Sequence, residues 1–262
     1  MKSDFATKVL DAKAEFEHRP LLKPLQLSSG SITELTEARV TVRVRVAERE
    51  ATGRGSIYLS DLWSWPGTAL SHAQKDFVLR TVCTAIARDL ATLCGGKPAH
   101  PLELGLRLHE AVGHLPKPKG EASLPLPGGE RESDLGNTPP SLALAMCASP
   151  FDAAIHDAVG IGLERSAFDL YEEDAPIPAA DKLFPGQGAC AAIRASLRPP
   201  CGEFDAWWIV GAGDDMERDL KPIVEARGYR CFKLKLLGRD NAVDVARTAE
   251  VYRAMRRFGL TH

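Results

Sequence analysis

The chain has 262 residues, 44% of them hydrophobic and 26% charged, with a formal net charge of −2. This is the balance of a folded globular protein rather than a disordered one. The near-neutral charge argues against a polyanion partner, so no nucleic acid is expected.

The N-terminus, Met1-Lys-Ser-Asp-Phe5, lacks an apolar signal region, and no stretch reads as membrane-spanning. The expectation is a cytoplasmic protein without membrane contact. Six cysteines occur with no Cys-x-x-Cys pair, which reads as neutral thiols in a reducing compartment.

Taken in chain order, the first third has the pattern of an antiparallel meander. A strand is expected over Val9 to Glu17, and a longer one over Ile32 to Val46. In the second, Val40, Val42, Val44 and Val46 share one face, while Arg39, Thr41, Arg43 and Arg45 share the other. Such alternation marks a sheet covered on one side. Ala51 to Leu59 reads as the return strand after the polar break Glu48-Arg49-Glu50. Between the first two strands, Lys23-Pro-Leu-Gln-Leu-Ser-Ser-Gly30 is polar and glycine-ended, and is expected to be a mobile loop.

Helical spacing follows. Phe77, Val82, Ala85, Ile86, Leu90 and Leu93 form a stripe over Ala73 to Leu93, closed by Gly95-Gly96. A second helix is expected over Pro101 to Val112, with proline at its first position. Pro116 to Pro140 reads as a long exposed connection. A third helical region runs from about Ser141 to Leu170, with a break expected at Pro150. The last part alternates: strand Ala206 to Val210, helix Met216 to Ala226 with Pro222 shortening or kinking it, strand Arg230 to Leu236, helix Ala242 to Arg257. That order is the grammar of a parallel sheet or barrel.

The residues that could carry chemistry lie in the last strand. Alternation along Cys231-Phe-Lys-Leu-Lys-Leu-Leu-Gly238 sends Phe232, Leu234 and Leu236 to one face and Lys233 and Lys235 to the other. In a parallel barrel the second face is the interior, where chemistry is done near the strand's C-terminal end. Other candidates have simpler readings. Asp240 and Asp244 begin a helix, where acids complement its dipole. His109 and His114 are five apart, the wrong spacing for a zinc pair on one helix face. Gly211-Ala-Gly213 lacks the third glycine of a dinucleotide fingerprint and reads as a tight turn. Trp63 and Trp65 read as packing anchors against the barrel rather than ligand platforms.

Three segments resemble the enolase superfamily, in particular its mandelate racemase and muconate lactonizing enzyme branch. Leu27-Ser-Ser-Gly-Ser-Ile-Thr-Glu-Leu-Thr-Glu-Ala-Arg-Val40, with Thr52-Gly-Arg-Gly55, looks like the N-terminal loop, second strand and return strand. Ala154-Ile-His-Asp-Ala-Val-Gly160 looks like the end of the cap helix, and Phe232-Lys-Leu-Lys-Leu236 looks like the lysine-x-lysine barrel strand. The resemblance implies an α+β N-terminal capping domain, an antiparallel meander plus helices, over residues 1–200. The first two βα units of an incomplete TIM-type barrel would follow over residues 201–262. A full barrel takes roughly 31 residues per unit, so a third strand would begin just past His262.

In the family, a base removes the proton α to a carboxylate and a divalent metal, usually magnesium, stabilises the enolate. The metal is held by carboxylates from the third to fifth barrel strands. The resemblance implies Lys235 as base, with Lys233 beside it lowering its pKa and favouring the substrate carboxylate. Leu27, Ser28, Ser29 and Gly30 would fold over the barrel mouth and help select a small carboxylate substrate. Asp152 and Asp157 fall on the cap helix and are assigned packing, as is His156 between them. With the metal-binding strands missing, no magnesium is expected to bind this chain alone, and it is expected to be inactive. Complete relatives are racemases, epimerases, dehydratases or cycloisomerases, that is, magnesium-dependent isomerases and lyases. The alternative is a non-catalytic assembly module, forming a homo-oligomer or pairing with a full-length homologue.

Overall fold

The computed structural model describes residues 5–27, 30–115, 138–171, 181, 184–199 and 201–260. The chain divides into two compact units. One comprises Met1–Arg19 and Leu35–Leu197, the other Pro20–Glu34 and Arg198–His262.

The first unit is built on strands β1 (Thr7–Leu27), β2 (Gly30–Val46) and β3 (Arg49–Tyr58), in sheet order β1-β2-β3. β2 and β3 are antiparallel, with Val42 opposite Gly53 and Val44 opposite Ala51. Val40, Val42, Val44 and Val46 are buried, as their alternation requires. The opposite face is a ladder of ion pairs. Arg39 meets Glu17 at 2.7 Å, Arg45 meets Glu50 at 2.6 Å, and Arg43 reaches both Asp11 and Glu50.

β1 and β2 are longer than the sequence suggests, and the expected mobile loop at Lys23 to Gly30 is corrected. Residues 23–27 continue β1, and Gly30 already begins β2. The apolar alternation fades there because the distal ribbon is largely exposed, with Leu22 wholly so. Pairing of main-chain groups persists where the side chains no longer advertise it. Ser28 and Ser29 lie outside the described residues.

Against the apolar face pack α2 (His72–Leu93), α3 (Pro101–Val112) and α4 (Ser141–Leu163), after a single turn α1 (Asp61–Ser64). Ser71 opens α2 with a reciprocal capping box to Gln74. Gly95 and Gly96, both at positive φ, close it. The buried stripe of α2 is Leu79, Val82, Cys83, Ile86 and Leu90; Phe77, expected on it, is 54% exposed. Trp65 is buried in the core of this unit, and Trp63 is exposed.

α4 runs unbroken through Pro150, against expectation. Proline removes one rung of the helix, but the surrounding residues Met146, Phe151, Ala154 and Ile155 are all buried and hold both halves in line. At 23 residues with mean hydropathy 1.2, α4 is also long and apolar enough by composition to cross a membrane. That corrects the expectation of no such stretch. Its apolarity is explained by burial in the core.

A 3-10 turn (Ala167–Tyr171) follows, and then α5 (Ala189–Ser196). Residues 116–137, most of the expected Pro116–Pro140 connection, lie outside the described residues.

In the second unit, β4 (Trp207–Val210) and β5 (Cys231–Leu234) pair in parallel, with Ile209 opposite Lys233. A π-type turn (Met216–Leu220) leads into α6 (Lys221–Arg227), where Pro222 sits in the first turn and sets the helix start rather than kinking it. α7 (Asn241–Arg257) follows β5, giving two βα units. Their core is Val210, Met216, Leu220, Val251 and Ala254, with Trp208, Phe232 and Leu234 packed against it.

Candidate functional site

The sheet alternation of β4 and β5 sorts the candidate residues. Trp208, Val210, Phe232 and Leu234 turn towards the helices of the unit. Trp207, Ile209, Lys233 and Lys235 belong to the opposite face by the two-residue period. Leu236 departs from its expected place among the core residues. The strand ends at Leu234, and Leu236 is 47% exposed beyond it.

On the lysine face, the Lys233 ammonium lies 4.5 Å from the centre of the Trp207 ring. A cation over an indole face gains about 0.5–1 kcal/mol at an exposed site, which gives Lys233 a preferred position. The Lys235 amide donates to the Val210 carbonyl at 2.9 Å, so the residue leaves the sheet beside the C-terminal end of β4. Lys233 therefore lies within β5 on an aromatic platform, and Lys235 lies one residue past the strand's end. Leu27 ends β1 and Gly30 begins β2, both in the same unit as the lysines.

The turn after β4 is closely built. Asp214 accepts from the Gly211 amide at 2.8 Å, while Arg247 of α7 donates to the carbonyls of Gly211 and Asp214 at 2.9 and 2.6 Å. Asp240 caps α7 through the Ala242 and Val243 amides, and Asp244 accepts from the Leu237 and Gly238 amides. Both are helix-end residues, as the sequence indicates. Among the described residues, no group of three or more His, Cys, Asp or Glu side chains is placed to hold a metal ion. The carboxylates nearest the end of β4 are already committed to amides and cations, so the described residues do not fit a magnesium site.

A second polar cluster lies in the first unit and went unread in the sequence beyond Asp152 and His156. The ring of His156 meets the Asp152 carbonyl at 2.9 Å through Nδ1 and the Tyr171 hydroxyl at 2.7 Å through Nε2. His100 begins α3: its Nδ1 accepts from the Leu102 amide, and its Nε2 donates to the Leu170 carbonyl at 3.0 Å. Burial pushes the Tyr171 phenol up to about 12, with Asp152 adding to it. These groups tie α3 and α4 to the 3-10 turn, a packing role.

The two histidines predict opposite pH effects. Burial opposes charge on His156, but Asp152, with its carboxylate 3.3 Å from Nδ1, outweighs it and raises the pKa above 6.5. The folded chain thus holds this proton more tightly than the unfolded chain. The stabilisation is complete below 6.5 and is lost as pH rises through the higher folded value. Burial lowers the pKa of His100, so its contribution is present above 6.5 and lost as pH falls through the lower folded value. In thermal melts from about pH 5 to 8.5, His156→Gln is expected to flatten the loss of stability on the alkaline side. An unchanged slope overturns the assignment.

A cavity of about 470 Å³ in the capping unit is lined by Thr81, Val82, Arg88, Val112, Leu115 and Leu144. Neither Lys233 nor Lys235 lines it.

No protein-family model and no curated protein matches the sequence. Solved structures do match. An enolase from Bradyrhizobium, complexed with magnesium and mandelic acid, is 19% identical with a TM-score of 0.50, over 95% of this chain and 51% of that one. An enolase from alpha proteobacterium bal199 with bound magnesium is 14% identical with a TM-score of 0.52, over 96% and 53%. A muconate lactonizing enzyme from Pseudomonas fluorescens, complexed with muconolactone, is 16% identical with a TM-score of 0.49, over 97% and 51%. The chain spans about half the length of these structures. It shares the fold of the two enolases over its three-stranded meander, its helices and its two βα units.

Proposed function

We propose that this chain is the capping domain and first quarter-barrel of an enzyme that removes the proton α to a carboxylate. Lys235 is the base, and Lys233 is the neighbouring cation that holds the substrate carboxylate. The observation that carries the reading is the parallel register of β4 and β5. It supports the reading because Lys233 pairs opposite Ile209, and by the two-residue period Lys233 and Lys235 fall on the side opposite the helices, near the strand end where barrel enzymes do their chemistry. Support comes from the matched Bradyrhizobium enolase, which is complexed with a small carboxylate, mandelic acid.

An α-proton is weakly acidic, and its removal needs positive charge at the developing oxyanion. The ammonium groups of Lys233 and Lys235 supply part of it. Magnesium, bound in the matched enolases, would need carboxylates other than those described here, so no step is routed through it. Racemisation, epimerisation, elimination and cycloisomerisation all share this first step. Leu27, Ser28, Ser29 and Gly30 are the residues proposed to select the substrate.

By this reading the 262-residue chain alone does not turn over. Deuterium exchange at the α-carbon of a panel of hydroxy and amino carboxylates, with magnesium, is expected to be absent for the purified chain. It is expected to appear when the remaining barrel units are joined to it. Exchange by the isolated chain overturns the first statement, and a silent completed barrel overturns the assignment.

A second reading rests on the exposed apolar groups of the barrel unit. Trp207, Leu236, Val245 and Tyr252 are each about half exposed or more, beside a sheet of two strands. Open strand edges recruit further strands, which favours an assembly module that pairs with another chain or a second copy.

A further inference from the structure

Two thiols 64 residues apart in sequence meet in the core of the first unit. Cys83 stands midway along α2 and Cys147 in the second turn of α4, and both side chains are fully buried. Each sulfur is seated against the other's helix. The Cys83 thiol donates to the Cys147 carbonyl at 3.9 Å, and the Cys147 thiol donates to the Leu79 carbonyl, one turn before Cys83, at 3.6 Å. The two thiols also lie within hydrogen-bonding reach of each other, so no third side chain separates them. Cys94 closes the same helix three turns further on, about 16 Å along its axis.

We propose that Cys83 and Cys147 are a redox-modified pair, free thiols under reducing conditions and a disulfide joining α2 to α4 under oxidising ones. A disulfide needs its sulfurs about 2 Å apart, and thiols already in contact are about 2 Å short of that. The reaction is exchange with a small-molecule disulfide such as oxidised glutathione. One cysteine, as thiolate, attacks the oxidant and displaces the first glutathione thiolate. The other, as thiolate, attacks the protein sulfur of the mixed disulfide and displaces the second. The protein pair loses two electrons and the oxidant gains them. The two thiol protons pass to two molecules of reduced glutathione.

Burial governs the rate. The Cys83 thiol beside it and its buried surroundings push Cys147 well above the ordinary thiol range, and the thiolate is the attacking species. The closed core is therefore slow to oxidise, and the bond forms while the unit folds or opens. Once formed, it closes a loop that includes α3 and removes freedom from the unfolded chain. The cross-linked unit is the more stable form, and reduction loosens it. Neither cysteine takes part in the proposed proton removal, so the two ideas stand or fall separately.

The test is to refold the 262-residue chain from urea with oxidised glutathione or with dithiothreitol. Peptide mapping without reduction is expected to give a linked Cys83–Cys147 peptide, two hydrogens lighter than its parts, in the first sample only. That sample should melt about 5–10 °C above the reduced one. Cys147→Ala is expected to remove both the linked peptide and the difference in melting, whereas Cys94→Ala keeps both. Each variant is compared with itself, so the cost of the substitution cancels, and the wild-type map decides even where a variant does not fold. A wild-type map without the linked peptide, or with Cys83 and Cys147 joined to other thiols, overturns the pair. Equal melting with and without the bond overturns its effect on the unit.

Discussion

Gly55→Ala is expected to destabilise the capping unit by about 3 kcal/mol, the upper end of the usual cost of overpacking. Gly53→Ala should do nearly the same. A Cβ at Gly55 would stand 2.0 Å from the Pro150 carbonyl oxygen. One at Gly53 would stand 2.2 Å from both the Ala154 oxygen and the Ala158 nitrogen. These are backbone atoms of α4, and no rotamer change moves them.

The approach is close because α4 presents Pro150, Ala154, Ala158 and Gly162 at four-residue spacing, all buried, to Ala51, Gly53 and Gly55 on one face of β3. Between the two glycines the Arg54 amide donates to Asp157 at 2.8 Å, fixing the register of strand on helix. Glycine in a strand is itself costly, by about 0.5–1 kcal/mol relative to alanine. Replacing it would therefore stabilise the chain if space allowed. The overlap is the larger effect and sets the sign.

Urea denaturation checks this, with Gly213→Ala as the control, since nothing lies within 4 Å of a Cβ there. A Gly55→Ala change within about 0.5 kcal/mol of wild type, the scatter of a neutral surface substitution, overturns the account.

The same contact explains how much the sequence disclosed. Thr52-Gly-Arg-Gly55 and Ala154-x-x-Asp157-x-x-Gly160 are legible because only small residues and one acid satisfy a strand lying against helix backbone. Gly160 belongs to the set too, since a Cβ there would come within 2.9 Å of the Arg165 oxygen at the helix end. The valine alternation of β2 and the proline start of α3 were equally plain, because each follows from local geometry.

What stayed hidden depends on distant groups. The extent of β1 is set by cross-strand pairing, and its outer residues carry no periodic signal. Pro150 reads as a break unless the packing on both its sides is known. Phe77 fits the helical stripe in spacing, yet Leu79 and Cys83 take the core. At the candidate site, the lysine face follows from alternation alone. The platform of Trp207 and the Arg247 grip on the β4 turn have no local signature.

In a polypeptide whose barrel is complete, Lys235→Ala is expected to lower α-proton exchange by about 10²- to 10⁴-fold, the usual worth of a positioned general base. The fold should not suffer. The bond that ties this residue to the sheet runs from its main-chain amide to the Val210 carbonyl and survives truncation of the side chain. Circular dichroism and thermal melts should then match the parent.

Lys233→Ala is the informative partner. Its ammonium rests on the face of Trp207, a position suited to holding an anion rather than accepting a proton. It should therefore raise KM more than it lowers kcat. Interactions made equally in ground and transition states affect binding, whereas loss of the proton acceptor affects the chemical step. If Lys235→Ala keeps activity within about threefold of the parent, a loss far short of a general base's, the base lies elsewhere. If Lys233→Ala shows the deep loss in kcat instead, the two roles are reversed. Either result can be read from one pair of variants, because the two lysines lie two residues apart, Lys233 within β5 and Lys235 just past its end.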